Sequence, residues 1–170
     1  MKKLDLLNKF DSEGINYKLY EHEPLFSVKE SENKRGEISG IHTKNLFLKN
    51  KKNYFCLFSC EENSVIDLKK LSKGLFAGNL SFAREEYLIK YLNVNPGSVS
   101  PFGLLNDKEN KVNFFLEEKL FKSNDINFHP LINTATINMK TCDFIKFIIK
   151  NKKKIYIFSL ENNELIDTLC

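Results

Sequence analysis

Three short stretches of the chain combine residue types that could do chemistry on an ester or a phosphate. HTKNLFLK (42–49) places a lysine at the polar end of a strand-like alternation. PGSVSPFG (96–103) is rich in glycine and proline, and FHPLINTAT (128–136) puts a histidine before a proline and a run of hydroxyl and amide residues. A lysine ammonium can hold a phosphate or polarise a carbonyl, and successive backbone N–H groups of a glycine loop can hold an anion or a carbonyl oxygen.

Each stretch also has an ordinary structural explanation. Lys44 can extend its ammonium to water from the end of an apolar strand face. The glycine-rich loop can be a surface turn, although Val99 and Phe102 indicate that it packs against the core. His129 is held extended by Pro130, and single histidines are more often structural than catalytic. No serine or cysteine is visibly paired with it, so a hydrolytic triad is not predicted.

Length and charge restrict the class of protein. A chain of 170 residues with 42% hydrophobic residues can bury one core. The net charge of +4, from 26 basic and 22 acidic residues, is too mild for a histone-like DNA binder. The basic residues cluster at 44–52, 67–74 and 150–154. We interpret 150–154 as a solvated run, whereas 44–52 is either solvated or a phosphate-facing patch.

The four cysteines do not predict a metal site. Cys56 and Cys60 share one face of a strand-like run, but no second Cys or His pair stands at ligand spacing, and His22 and His42 are isolated. Reduced, buried thiols suit a cytoplasmic protein. Charges interrupt the apolar pattern of the first residues, so neither a signal peptide nor a membrane span is predicted there.

The three stretches must be positioned by a mixture of helices and strands. Gly14 ends a first helix, and Ser81 and Thr141 are expected N-caps of two later helices. The predicted helices cover 2–13, 27–36, 67–75, 82–92 and 141–151, and the predicted strands cover 15–22, 38–50, 54–60, 112–117, 126–129, 131–139 and 154–160.

These elements do not follow a regular βαβ rhythm, so the predicted class is α+β. We see no internal repeat and no linker, and therefore expect one domain over 1–160. Residues 161–170 are expected to be a polar, loosely held C-terminal tail.

Four motifs in a fixed order give the chain a family resemblance. They are YEHEPLFSV (20–28), HTKNLFLKNKK (42–52), PGSVSPFGLLND (96–107) and FHPLINTATINM (128–139), within a match that spans about residues 4–158. Together they resemble the YbaK/prolyl-tRNA synthetase-associated editing domain family, and most of all its free-standing branch of Ala-tRNA(Pro) deacylases. GSVSP supplies the G-x-x-x-P loop of that family.

The resemblance implies a single α+β domain with a mixed, barrel-like sheet flanked by helices. It also implies an enzyme that hydrolyses the ester between a wrong amino acid and the 3′ end of tRNA(Pro), most often alanine. The implied partners are the tRNA(Pro) acceptor end and prolyl-tRNA synthetase. No cofactor, metal, membrane or DNA is expected, and the implied location is the cytoplasm.

The resemblance also assigns roles to residues of this sequence. It implies that Lys44 lies near the terminal adenosine and its phosphates, that the amides of the Gly97 loop face the aminoacyl group, and that His129 forms a pocket wall. The expected catalytic residues are Lys44, Gly97 and His129, and the expected substrate-binding residues are Pro24, Phe26, Ser27, Val28, Asn45, Lys49, Ser98, Val99, Ser100, Pro101, Asn133 and Thr134.

Two alternatives stay open at the level of sequence. Ser27 and Ser100 stand where the family often has threonine; both keep a hydroxyl, but the pocket size, and thus the accepted amino acid, is left open. The protein could therefore act on Cys-tRNA(Pro) or another aminoacyl-tRNA. The second alternative is a non-catalytic tRNA-binding module associated with a synthetase.

Overall fold

A mixed sheet of nine strands runs through the part of the chain that the computed structural model describes, residues 1–24 and 38–170. The strands are β1 (Tyr17–Glu21), β2 (Ile41–Lys49), β3 (Phe55–Glu61), β4 (Ser81–Phe82), β5 (Val112–Glu117), β6 (Asp125–Phe128), β7 (Ala135–Lys140), β8 (Ile155–Ser159) and β9 (Glu164–Leu169). Their order is β1-β7-β6-β2-β3-β5-β8-β9, and β4 pairs with β2.

Helices flank this sheet, which confirms the predicted α+β class. The α-helices are α1 (Lys3–Glu13), α2 (Leu68–Gly74), α3 (Glu85–Tyr87), α4 (Glu118–Phe121) and α5 (Thr141–Lys150). A π-helix (Leu88–Leu92) continues α3, and a 3₁₀-helix (Pro101–Asn106) follows the glycine-rich loop. No helix in the described ranges is long and apolar enough to cross a membrane.

Strand β2 connects two halves of the sheet. Its first residues, Ile41 and His42, pair in parallel with β6, and Thr43 to Lys49 pair antiparallel with β3. Strands β3, β5 and β8 run parallel to one another. Parallel neighbours begin at the same edge of a sheet, so three chain segments enter the sheet at one edge and leave it at the other.

Phenylalanine provides much of the core, as the composition suggested. Phe102 is fully buried, and its ring lies 5.2 Å from Phe10, 5.7 Å from Phe128, 5.9 Å from Phe144 and 6.0 Å from Phe147 between ring centroids. These rings meet edge to face, the arrangement that aromatic quadrupoles favour. The 3₁₀-helix is thereby joined to α1, α5 and β6.

Several predicted boundaries are confirmed by their local chemistry. Gly14 ends α1 with a φ of 68°, which costs glycine little. Asp67 caps α2, because its carboxylate accepts hydrogen bonds from the backbone N–H groups of Lys69 (2.8 Å) and Lys70 (3.1 Å). The hairpin predicted around residues 50–53 is the β2–β3 pair.

Two predicted helix starts are wrong. Ser81 belongs to β4 and pairs with Lys49, so the following helix begins at Glu85 with Arg84 as its N-cap. Thr141 is the first residue of α5, and Lys140 occupies the cap position. The Thr141 hydroxyl lies 3.1 Å from the Ser123 hydroxyl. Contacts with residues distant in sequence therefore determine the positions of these two hydroxyl residues: Ser81 pairs with Lys49, and Thr141 contacts Ser123.

The expected loose tail is also wrong. Residues 164–169 form β9, which pairs antiparallel with β8 from Ile155↔Leu169 to Ser159↔Glu164. Its side chains are mostly exposed, so the sequence shows no buried face. Backbone pairing with β8 places the strand, and Leu169 packs partly against the core. The helix predicted over 27–36 lies outside the described residues.

Candidate functional site

Lys44 lies in β2, and His129 is the first residue after the neighbouring parallel strand β6. His42 of β2 is aligned with Asn127 of β6, and this is the last aligned pair of the two strands. Lys44 and His129 each stand two residues beyond that pair. Strand β6 ends at Phe128, so both residues stand just beyond the paired part of β2 and β6.

The Lys44 ammonium is held at the end of strand β3. It donates a hydrogen bond to the backbone carbonyl of Ser64, in the loop that follows the strand. The Ser64 hydroxyl donates to the buried carboxylate of Glu117 (3.2 Å), which also accepts the Glu61 backbone N–H at 2.7 Å. Glu117 therefore fixes the loop whose carbonyl holds Lys44.

Asn45 and Lys49 lie on the opposite face of β2 from Lys44. The Asn45 side-chain oxygen accepts a hydrogen bond from the buried Ser59 hydroxyl at 2.5 Å. The Lys49 ammonium lies 5.1 Å from the centre of the Tyr87 ring. Five residues along a strand span about 17 Å, so the fold does not bring Lys49 to Lys44.

His129 is oriented by the strand that follows it. Its Nδ1 lies 3.1 Å from the carbonyl oxygen of Ala135. A carbonyl only accepts hydrogen bonds, so Nδ1 carries a proton, and in the neutral ring Nε2 is the acceptor. Asn133 and Thr134 are half-buried in the turn between β6 and β7, where the Thr134 carbonyl accepts the His22 N–H at 3.0 Å.

The glycine-rich loop packs down onto the same region through its second half. Gly97 is exposed at the turn with a φ of 82°, whereas Ser98, Ser100 and Pro101 are buried and Val99 packs against the core. The Ser100 hydroxyl accepts the Phe102 N–H at 3.4 Å. Since Phe102 contacts Phe128, the core joins the end of this loop to the end of β6.

A polar network next to His129 was not singled out by the sequence. The Asn138 side-chain amide donates to Asn127 Oδ1 (3.0 Å) and to the Ser39 carbonyl (2.8 Å). The His22 ring lies against the Thr136 hydroxyl, with Nε2 at 2.9 Å. Asn127, Thr136 and Asn138 fall at alternate positions of two strands, and that alternation is the signal that could have found them.

The thiol nearest Lys44 is not a nucleophile at neutral pH. Cys60 is opposite Lys44 in the β2–β3 pairing, and burial raises its pKa to about 12 against the opposing effect of the Lys44 charge. Burial likewise raises the pKa of Cys56 to about 12. Within residues 1–24 and 38–170, no group of three or more His, Cys, Asp or Glu side chains could hold a metal ion.

Of the predicted pocket residues Pro24, Phe26, Ser27 and Val28, the structure describes Pro24. Pro24 is exposed after His22, and Phe26, Ser27 and Val28 lie outside the described residues. Among the predicted site residues, Lys44 and His129 each stand two residues beyond the last aligned pair of β2 and β6, and Lys49 lies at the other end of β2.

Comparison with known families identifies the family of this chain. The model of the aminoacyl-tRNA editing domain matches residues 22–147, which include Lys44, the Gly97 loop and His129. The chain belongs to this family. The predicted resemblance is confirmed, because the match covers well over half of the sequence.

Two relatives match most of this editing-domain chain. The prolyl-tRNA editing protein ProX of Acetoanaerobium sticklandii is 35% identical over 147 residues, which cover 86% of this chain and 90% of that protein. The prolyl-tRNA synthetase associated domain-containing protein 1 of Danio rerio is 34% identical over 143 residues and covers 83% and 78% of the two chains.

The fold is also shared with a solved structure. A crystal structure described as a candidate trans-editing enzyme for prolyl tRNA synthetase superposes with a TM-score of 0.66 at 17% identity, covering 98% of both chains. At this identity the likeness shows that the two proteins have the same fold.

Proposed function

We propose that this editing-domain protein is a trans-acting deacylase that hydrolyses the ester of mischarged tRNA(Pro), with Ala-tRNA(Pro) as its main substrate. The observation that supports the proposal is that Lys44 and His129 each stand two residues beyond the last aligned pair of β2 and β6, and that Phe102, after the Gly97 loop, packs against Phe128, the residue before His129. The relatives named for prolyl-tRNA editing support the choice of tRNA.

The reaction does not require a covalent nucleophile. An aminoacyl ester is already activated, so orienting a water molecule and stabilising the developing oxyanion can suffice. In this proposal water attacks the ester carbonyl with help from the free hydroxyl of the terminal ribose. The neutral, buried Cys60 thiol agrees with a mechanism that uses no thiolate.

Lys44 supplies the positive charge of the proposed site. Its ammonium donates to the Ser64 carbonyl, and a carbonyl partner leaves the full charge available for a phosphate or an ester oxygen. In this proposal amides of the Gly97–Pro101 loop hold the aminoacyl end, and Asn133 and Thr134 supply hydrogen-bonding groups around it. Asn45, on the opposite face of β2, instead accepts the Ser59 hydroxyl. Lys49 contacts the tRNA at a greater distance from the ester.

We assign His129 to substrate positioning rather than to proton transfer. With Nδ1 donating to the Ala135 carbonyl, the imidazole ring is held in one orientation. In this proposal a ring so held forms one wall of the pocket for the aminoacyl group. His129→Gln, which keeps a polar atom near Nε2, should retain more activity than His129→Ala, with the difference mainly in KM.

Specificity follows from size. A synthetase site built for proline rejects smaller amino acids poorly, because a missing methylene is worth only about 1–3 kcal/mol. A second pocket too small for proline corrects this error. In this proposal Pro24, Phe26, Ser27 and Val28 line that pocket. The same reaction on Cys-tRNA(Pro) needs only a small change in the pocket.

The proposal also covers a partner protein and the location of the reaction in the cell. The relative from Danio rerio is named for association with prolyl-tRNA synthetase, and a protein that corrects the errors of this enzyme acts beside it. We therefore propose prolyl-tRNA synthetase as a partner and the cytoplasm as the location.

A deacylation assay tests the function directly. The protein is incubated with tRNA(Pro) charged with alanine, cysteine, serine or proline, and the loss of aminoacyl ester is followed over time. We expect hydrolysis of Ala-tRNA(Pro) well above the buffer rate and little hydrolysis of Pro-tRNA(Pro). Equal, buffer-level rates for all four substrates would favour the non-catalytic tRNA-binding module instead.

A further inference from the structure

Lysines collect at the edge of the sheet where strands β3, β5 and β8 begin. The register aligns Lys49 with Phe55, and Phe55 with Val112, the first residue of β5. The turn and loops that enter this edge carry the lysines. We call these eight residues the basic edge: Lys49, Lys51, Lys52, Lys108, Lys111, Lys152, Lys153 and Lys154.

The opposite edge of the same strands has the reverse character. Strands β3 and β5 end in carboxylates there, and its two lysines are already paired, Lys119 with Glu61 and Lys122 with Glu118. No lysine of the basic edge forms an ion pair with a carboxylate of the described residues. The charge of the basic edge is therefore open to an external anion.

The basic edge is concave where β5 meets β8. A cavity of about 290 Å³ is lined by Asn113, Tyr156 and the lysines 152–154. An adjoining cavity of about 450 Å³ shares Asn110, Lys152 and Lys153 with it and adds Lys108. We call these two adjoining cavities the groove; lysines line both of them.

One lysine of the groove is held rigidly and shapes it. The Lys153 ammonium donates to the Asp107 carbonyl and to Asn110 Oδ1, at 2.5 Å from the latter. The Asp107 carboxylate is buried and accepts the Val112 N–H at 2.8 Å. Lys152 and Lys154 on either side are exposed, so their ammonium groups can reach a ligand without breaking these contacts.

We propose that the basic edge binds the phosphate backbone of the base-paired stem of the tRNA whose 3′ end lies at Lys44. This inference rests on the proposed function. Lysines that have no carboxylate partner among the described residues can contact the phosphates of an RNA duplex. Lys49 stands about 17 Å along β2 from Lys44, so the unpaired 3′ end can span from the ester to the stem.

The test compares two double variants with equal changes of charge. Lys152→Gln/Lys154→Gln removes two charges from the groove, and Lys69→Gln/Lys70→Gln removes two exposed charges from the first turn of α2 as a control. Binding of uncharged tRNA(Pro) is measured from low to physiological salt. Circular dichroism and thermal unfolding verify that all variants are folded.

We expect the groove variant to bind more weakly and to depend less on salt. The slope of log K against log[salt] should fall in magnitude by about 1–2, because each lost phosphate contact removes about 0.9. The control should keep the wild-type slope, and saturating tRNA should restore the wild-type kcat to the groove variant. An unchanged slope, or an equal change in the control, overturns the inference.

The binding measurement is independent of catalysis. A wild-type protein that binds tRNA(Pro) through the groove but hydrolyses no ester would refute the proposed function and keep this inference. A protein that hydrolyses Ala-tRNA(Pro) while the groove variant binds as wild type would refute the inference alone.

Discussion

The two edges of strands β3, β5 and β8 differ in how their charges are used. Where the strands end, Lys119 and Lys122 form ion pairs, and Lys44 is held by the Ser64 loop that Glu117 fixes. Where the strands begin, the lysines face solvent without carboxylate partners in the described residues. Lysines are thus positioned by protein contacts where the strands end, whereas most lysines where the strands begin are exposed. Lys153, held by the Asp107 carbonyl and Asn110, is an exception.

The difference indicates that the lysines at the two edges have different functions. A group that acts on one bond must be held in a defined place, because small displacements reduce the rate strongly. Groups that attract a polyanion need only charge and access, because binding through counterion release depends on their number. The predictions below test this contrast, beginning with the largest expected effect.

Removing the Lys44 ammonium should reduce activity most. Lys44→Ala deletes the cation of the proposed site, and losing one group that stabilises an oxyanion typically lowers kcat about 10²–10³-fold. Single-turnover deacylation of Ala-tRNA(Pro) measures the effect. Lys122→Ala, which removes an exposed lysine at the same edge, is the control. An unchanged rate for Lys44→Ala contradicts the proposed mechanism.

Removing the Glu117 carboxylate should affect both stability and rate. Glu117→Ala leaves the Glu61 N–H and the Ser64 hydroxyl without their acceptor, at a cost of about 1–3 kcal/mol in the free energy of unfolding. The loosened loop should also lower kcat. Urea unfolding and deacylation are measured side by side with Glu118→Ala, whose carboxylate pairs with Lys122 on the surface. Equal results for the two variants would show that Glu117 does not position Lys44.

The buried Cys60 thiol should make the protein less stable in alkali. Its folded-state pKa is about 12 and its ordinary value is 9.0, so the unfolded chain loses the proton first as the pH rises. The contribution is complete below pH 9 and declines between pH 9 and 12, by about 1.4 kcal/mol per pH unit. Urea unfolding from pH 8 to 10.5 should show a shallower decline for Cys60→Ala than for the wild type.

Removing the Lys49 charge should have the smallest effect. Lys49→Ala loses the contact with the Tyr87 ring, worth about 0.5–1 kcal/mol, and one lysine of the basic edge. We expect a slightly lower unfolding midpoint, a salt slope for tRNA binding reduced by about 1, and an unchanged kcat. Lys51→Ala should reduce the slope similarly without the change in midpoint. A loss of kcat as large as that of Lys44→Ala would place Lys49 in the reacting site.

Strong local patterns accounted for the elements that were predicted correctly. The apolar alternation on both sides of residues 50–53 is sufficient to specify the β2–β3 hairpin, and Gly14 and Asp67 end and begin helices through their own conformational preferences. Ser81 and β9 were predicted wrongly because no local pattern marks their positions. Each is placed by hydrogen bonds to a distant strand, and such bonds leave no periodic mark on the side chains.

The sequence by itself determined the fold class, the family and the residue types at the candidate site. Hydrophobic periodicity is local, and the order of four motifs along the chain is sufficient to identify the family. Only the tertiary structure decided which of these residues meet. The parallel pairing of β2 with β6 puts Lys44 and His129 each two residues beyond the last aligned pair, Lys49 points from the other face, and three strand starts distant in sequence share one basic edge. These relations depend on strand register between segments far apart in the chain, which local preference does not specify.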